Sequence, residues 1–367
     1  MTALRELVAE NGPMALTLGG LVIGFAFGAI VSKTNFCTMG SISDIVSFGD
    51  YRRFRAWVLA AVTALLGAQL LQYAEVVELA RSMYLAPSVN WFGNVLGGLM
   101  FGYGMVFAGG CPSRNLARVG GGDLRALMAL IVIGIFAFMS IGGLLGPIRA
   151  WLEQSTAVSL AALNTPTQSL GDVVSASLRL SPTTGALIAT TAVAVAGLAY
   201  CFKDEGFRSS PVHVLSGIGV GLCVTAGWAV TGLAFDELAK QPVAPISLTF
   251  VRPAGDTLEW LERFTALGLP GFGVSTVLGA ILGSFVTAAA TKRFTITTFS
   301  DKADTIRVLS GAALMGIGGV LALGCTIGQG VTGVSTLAIG SFISFAAIVT
   351  GGVVGMKAFE RILMAEV

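Results

Sequence analysis

Charge is what this chain has least of. Lys, Arg, Asp and Glu make up 11% of its 367 residues, whereas a soluble domain carries roughly 25%. A water-facing globular exterior is excluded. Histidine occurs once, at His213, and the five cysteines lack the close pairing of a metal site or a secreted disulfide framework. No G-x-x-x-x-G-K-[ST] run occurs to cradle a nucleotide phosphate, which argues against direct ATP hydrolysis. The net charge of +2 is too small to suggest a nucleic-acid partner. No cofactor is expected.

What the chain has instead is apolar length. Hydrophobic residues are 54% of it and the mean hydropathy is +0.82. A bilayer crossing takes about 20 apolar residues, and such runs appear near 14–32, 56–74, 92–110, 124–147, 183–202, 212–234, 272–290, 308–324 and 332–355. An all-α integral membrane protein of about nine spans is expected, with the lipid bilayer as its solvent. Glu6 and Glu10 precede a first run long enough to span, so no cleavable signal peptide is expected. Glycine is 49 residues, near double the average of about 7%, and it lies inside the apolar runs. Small residues there permit close helix approach and mark broken helices.

Basic residues set the orientation. With the N-terminus outside, fifteen of the 22 Lys and Arg fall in inner segments, among them Lys33, Arg52, Arg53, Arg55 and Arg114. The seven outer ones are Arg5, Arg81, Arg149, Arg179, Lys240, Arg252 and Arg263. The positive-inside rule therefore favours N-out, C-in. The outer loops 148–182 and 236–271, with Pro166, Pro182, Pro242, Pro245 and Pro253, read as extramembrane caps.

Four stretches share one frame, a glycine nine positions before a marked residue: Gly28 to Cys37, Gly102 to Cys111, Gly219 to Trp228 and Gly316 to Cys325. Under the charge-derived topology the first two run inward and the last two outward. Residues 1–150 then form one half, 151–211 an outer loop and a connecting fifth span, and 212–367 a second, inverted half. Inverted halves with discontinuous helices suit a transporter or channel, because broken ends supply backbone groups to a solute near the midplane.

Each framed cysteine is followed by a polar, glycine-bearing run, "CTMGSISD", "CPSRNLARVGGG" or "CTIGQGVTG", with Pro112 in a favoured first helical position. Free cysteine usually packs as a small hydrophobe. The shared frame and polar context argue instead for a pathway role at Cys37, Cys111 and Cys325, whereas Cys201 and Cys223 lie in plain apolar runs and read as core. A helix N-terminus favours anions, and a polarisable thiol suits a soft sulfur-bearing solute better than sulfate. Several weak sites also let a solute enter and leave. Arg114 reads as an anion attractor at the inner mouth or as a topology determinant. Asn35, Asn115 and Gln329 offer amide donors or helix caps, and Gly110 and Gly324 flank the thiols. Trp228, which replaces the thiol in the third frame, is expected to wall or narrow the path. His213 reads as interfacial.

The segments "NFCTMGSISD" at 35–44, "GGCPSRNLARVGGG" at 109–122 and "GCTIGQGVTGVS" at 324–335 resemble the YeeE/YedE family of membrane proteins, the sulfur-transport family associated with thiosulfate uptake. The resemblance implies an hourglass-shaped protein of a bacterial inner membrane, with inverted halves and short broken or re-entrant helices meeting at a constriction. It also implies thiosulfate relayed along Cys37, Cys111 and Cys325, and a small sulfur-carrier protein as cytoplasmic partner. Relatives handling other sulfur or selenium species remain open. Two other readings are weaker. A sulfurtransferase forming a cysteine persulfide lacks a nearby base. A soft-metal carrier would have to use Met39, Met105 and Met315, which are ordinary interface fillers at this spacing.

Overall fold

A computed structural model describes residues 11–160, 165–237 and 243–366. Arg5, Glu6, Glu10, Lys240 and Pro242, used above, lie outside the described residues. Helices dominate: α1 (Gly12–Thr34), α2 (Thr38–Phe48), α3 (Arg52–Tyr73), α4 (Trp91–Phe107), α5 (Pro112–Gly120), α6 (Leu124–Ile141), α7 (Gly146–Thr156), α8 (Leu170–Leu178), α9 (Pro182–Phe202), α10 (Glu205–Arg208), α11 (Pro211–Leu233), α12 (Arg252–Glu262), α13 (Phe264–Leu267), α14 (Phe272–Ala290), α15 (Lys302–Leu321) and α16 (Ile339–Glu366). The only paired strands among the described residues are Ser88–Val89 and Val158–Ser159, antiparallel to each other.

Nine helical stretches in the described residues are long and apolar enough to cross a membrane. Two of them contain an interruption, α1 with α2 and α4 with α5. Their outward faces carry Val22, Leu70, Leu187, Leu215 and Val354, all exposed, as a lipid-facing surface requires. Two span limits differ from the hydropathy reading. The fourth stops at Ile141, where Gly142 and Gly143 turn the chain and Pro147 opens α7. The ninth begins at Ile339 rather than 332 because residues 326–335 form a separate short helical segment with a π-helical centre, Gly328–Gly333.

The glycines explain how the helices pair. A Cβ at Gly28 would fall on the Ala280 carbonyl of α14, one at Gly102 on the Ile348 carbonyl of α16, and one at Gly316 against the Ile133 carbonyl of α6. Three of the four frame glycines thus mark backbone-to-backbone crossings, which van der Waals packing in a bilayer rewards. Gly219 meets only the Ile30 side chain. The most extensive helix pairings are α1 with α14, α4 with α16, α3 with α11, α4 with α15 and α6 with α15.

The loop expected as an outer cap at 236–271 does more than cap. Its extended part descends into the core, where Leu248 and Phe250 are fully buried. Non-helical backbone survives there only if its polar groups are met. The Thr231 and Thr332 hydroxyls donate to the Ile246 and Leu248 carbonyls, both at 2.7 Å. Ser247 donates to the Val224 carbonyl at 2.6 Å.

Candidate functional site: three helix breaks and their thiols

Each framed cysteine sits at a helix break. Asn35 ends α1 in the left-handed conformation, with φ 54° and ψ 34°, and two residues later Cys37 caps α2. Cys111 caps α5, with Pro112 in the first turn. Cys325 precedes the segment 326–335. The breaks before Cys111 and Cys325 are built alike. Ala108 and Ala322 close α4 and α15 with φ,ψ of −81°,4° and −82°,3°. Gly109 and Leu323 then take positive φ, 72° and 59°. Gly110 donates to the Met105 carbonyl at 2.8 Å and Gly324 to the Gly319 carbonyl at 2.7 Å, the long bond of a Schellman ending. Gly110 has φ 143°, and a Cβ there would crowd Arg114. Gly324 bounds the second break.

All three sulfurs are buried and unpaired in disulfides. The Gly40 amide donates to Cys37 Sγ at 3.5 Å, and the Gly328 amide to Cys325 Sγ at 3.3 Å. These two thiols therefore meet an amide three residues on, where a helix start leaves N–H groups free. Cys111 is the meeting point. Its thiol lies within hydrogen-bonding reach of Cys37, is 3.2 Å from Ser113 Oγ, and lies beside the Thr326 hydroxyl. Cys325 is farther along, against the backbone amides of Phe250 and Ile327. Cys201 and Cys223 join the general hydrophobic core on α9 and α11.

Two cavities approach this cluster from different ends. One, of about 150 Å³, is lined by Tyr84, Asn94, Glu153, Gln168 and Gln329, the last four residues beyond Cys325. The other, of about 370 Å³, is lined by Lys33, Asn35, Arg114, Arg118 and Arg293, beside Cys37 and Cys111. Four cations and no carboxylate line this second cavity, so its field favours an anion. Helix α4 begins near Asn94 of the first cavity and leads to the break that positions Arg114 in the second.

The polar residues singled out from the sequence hold these breaks. Asn35 Oδ1 accepts from Arg114 at 3.1 Å, so it acts as an acceptor rather than an amide donor. Asn115 donates to the Gly110 carbonyl at 3.1 Å and accepts from Arg118 at 3.2 Å. Gln329 Nε2 donates to the Ala322 carbonyl at 2.5 Å. Trp228 is fully buried, its Nε1 donating to Ser335 Oγ at 3.0 Å and its ring 6.4 Å from Tyr84. It does not face lipid. It also lies within an unbroken α11, unlike the framed cysteines. His213, at the start of α11, is half-buried and 2.6 Å from Ser210 Oγ.

Arg118, another of the inner-segment cations, braces the Cys111 break. It donates to the Gly109 carbonyl at 2.8 Å and to Asp123 at 2.7 Å. Asp123 lies between spans; burial would push its carboxyl up, but hydrogen bonds from Arg125 and Arg118 overcome this and hold it below the usual range. Hydrogen bonds to charged groups contribute about 1.5–3 kcal/mol. Arg118→Gln is therefore expected to lower the melting temperature in detergent by several degrees. Arg118→Lys should not restore it, because an ammonium cannot reach both partners with a planar fork.

Sequence reasoning also missed two hydroxyls. Thr38 and Thr326 each follow a framed cysteine, are 0% exposed, and have a side-chain oxygen with no hydrogen-bond partner of good geometry. Leaving such a group unmet costs about 1–3 kcal/mol. The repeated Cys-Thr pair was the signal available.

Residues 33–354 match the family described as Sulphur transport. The chain belongs to that family. Among its relatives is the thiosulfate transporter TsuA of Spirochaeta thermophila, 28% identical over 337 residues that cover 90% of this chain and 96% of the relative. Escherichia coli TsuA is 26% identical over 359 residues, covering 92% and 93%. A shorter likeness, 26% identity over 107 residues, joins 29% of this chain to 24% of the probable transporter YedE of Salmonella typhimurium. The YeeE/YedE resemblance read from the cysteine segments is thereby borne out.

Proposed function

We propose that this protein takes up thiosulfate across a bacterial inner membrane, the anion passing along Cys37, Cys111 and Cys325 by weak hydrogen bonds to these cysteines. The observation that carries the reading is the convergence of three separate helix breaks: the Cys37 and Cys111 thiols in mutual reach, with Cys325 near them, between a polar cavity and a basic one. The terminal sulfur of thiosulfate is large and polarisable, and thiols are weak, polarisable donors. Weak successive contacts let the ion leave as readily as it enters. The basic cavity would receive it, attracting a dianion through its cations without placing one in the narrowest part.

The pattern of helix pairings supports this reading. Exchanging α1 with α11, α3 with α14, α4 with α15 and α6 with α16 turns the pairing of α1 with α14 into that of α11 with α3. The same exchange turns α4 with α16 into α15 with α6, and leaves α4 with α15 unchanged. The matched endings at Ala108–Cys111 and Ala322–Cys325 obey it too. Halves at 1–150 and 212–367 would then face each other as an inverted pair around an hourglass constriction. With the N-terminus outside and the C-terminus cytoplasmic, the basic cavity opens inward, where a small sulfur-carrier protein would collect the product of transport.

The test is uptake of labelled thiosulfate into cells deprived of other thiosulfate importers. Expression of this chain should raise uptake well above the empty host, with little inhibition by excess sulfate. Uptake equal to the empty host, from protein verified in the membrane, overturns the proposal. Selenium analogues as competitors distinguish a different chalcogen substrate.

A further inference from the structure

A file of thiols by itself does not single out thiosulfate. Thiols contact soft sulfur, and they would serve hydrosulfide or thiocyanate as well. The other end of thiosulfate is a sulfonate with three hard oxygens, for which a hydroxyl donor is the better match. Two buried hydroxyls that follow the cysteines in sequence lack a partner of good geometry.

Several threonines within helices satisfy themselves on the preceding turn: Thr63 donates to Leu59, Thr225 to Gly221 and Thr287 to Gly283, at 2.8–3.1 Å. Thr38 and Thr326 stand at the first position of their helical segments, where no preceding turn offers a carbonyl in line. Both are 0% exposed, and neither hydroxyl has a hydrogen-bond partner of good geometry. Among the described residues Thr190 on α9 is the other buried threonine without one, and α9 packs on α8 and α3, away from the second and third breaks. Thr326 lies beside the Cys111 thiol and next in sequence to Cys325, so it stands between two of the thiols. Thr38 likewise follows Cys37 directly in sequence. At Cys111 the corresponding hydroxyl is Ser113, 3.2 Å away. Valine has the same shape as threonine, so packing alone does not call for these hydroxyls.

We infer that the hydroxyls of Thr38 and Thr326 are specificity-determining donors that bind the sulfonate oxygens of thiosulfate while the adjacent thiols hold its terminal sulfur. The inference rests on the thiosulfate-uptake reading and deepens it. Each Cys-Thr pair then reads both ends of the anion. Sulfate has no soft end for the thiols, and thiocyanate has no oxygens for the hydroxyls.

The experiment uses the full chain in cells. KM for labelled thiosulfate and inhibition by sulfate and by thiocyanate are measured for wild type, Thr326→Val, Thr38→Val and Thr326→Ser. Losing a hydrogen bond to a charged ligand weakens binding by about tenfold or more. Thr326→Val should therefore raise the thiosulfate KM by about tenfold and make thiocyanate a relatively stronger inhibitor, while Thr326→Ser stays near wild type. Thr38→Val should shift in the same direction. The melting temperatures of the valine variants in detergent should stay level or rise, since an unmet buried hydroxyl is removed. A purely structural role would move the melting temperature and leave KM and the inhibition pattern alone.

Folded valine variants with wild-type KM and inhibition overturn the inference while the uptake reading stands. A wild type that takes up no thiosulfate overturns both. If a valine variant fails to reach the membrane, alanine at the same position, which also lacks the hydroxyl, is read by the same criteria.

Discussion

Cys111→Ala is expected to abolish thiosulfate uptake while leaving the protein folded. Three features meet at this thiol: the Cys37 sulfur, the Ser113 hydroxyl and the Thr326 hydroxyl. Removing one sulfur atom from a fully buried site leaves a small void, with a stability cost at the lower end of the range for core truncations, about 1–2 kcal/mol. On the proposed relay the kinetic cost is larger, because the thiol linking the Cys37 and Cys325 segments is lost. A barrier raised by about 3 kcal/mol slows passage by about a hundredfold. Cys201→Ala and Cys223→Ala provide the contrast. Cys201 donates to the Arg55 carbonyl at 3.2 Å, Cys223 lies in the core, and neither joins the breaks. Labelled uptake, normalised to protein in the membrane, checks all three. Normal transport by Cys111→Ala would end the thiol relay.

Gly102→Leu is expected to do the opposite kind of damage, to the fold itself. A Cβ at this position would fall on the Ile348 carbonyl and close to the Gly352 amide of α16. Both obstacles are backbone, so no side chain can rotate away. Helices α4 and α16 must separate, and overpacking of this kind costs about 3 kcal/mol or more. The displacement travels to the Schellman ending at Ala108 and hence to Cys111. The expected result is aggregation or a strongly lowered melting temperature, read by gel filtration and thermal unfolding in detergent. Gly271→Ala is the control, since a Cβ there meets nothing within 4 Å and the residue has an ordinary φ of −65°. An equally stable Gly102→Leu protein would refute the close-crossing account of the frame glycines.

Much of the fold and part of the site were legible in the chain. Hydropathy located nine spans because burial in lipid is a local, compositional demand. Pro112 and the polar runs after the cysteines announced the breaks, because proline and unsatisfied polar residues interrupt a span wherever it lies. Other features were not legible. Arg114 bonding Asn35, 79 residues earlier, is a long-range contact with no local signature. So is the descent of residues 246–251 to meet Thr332. The prolines there signalled a loop, and only the hydroxyls of Thr231 and Thr332 reveal that its carbonyls are satisfied inside the protein.

By itself the sequence determined the class of protein, the number of its spans and the three thiols standing at helix breaks. These follow from side-chain polarity and backbone capability, which each residue carries wherever it is placed. The tertiary structure decided that Cys111 comes within reach of Cys37, that Thr326 lies beside the Cys111 thiol, and that Trp228 binds Ser335 rather than facing lipid. These depend on which helix backbones approach which. In this chain glycine contacts across the whole length set those approaches, and only the packed molecule makes them.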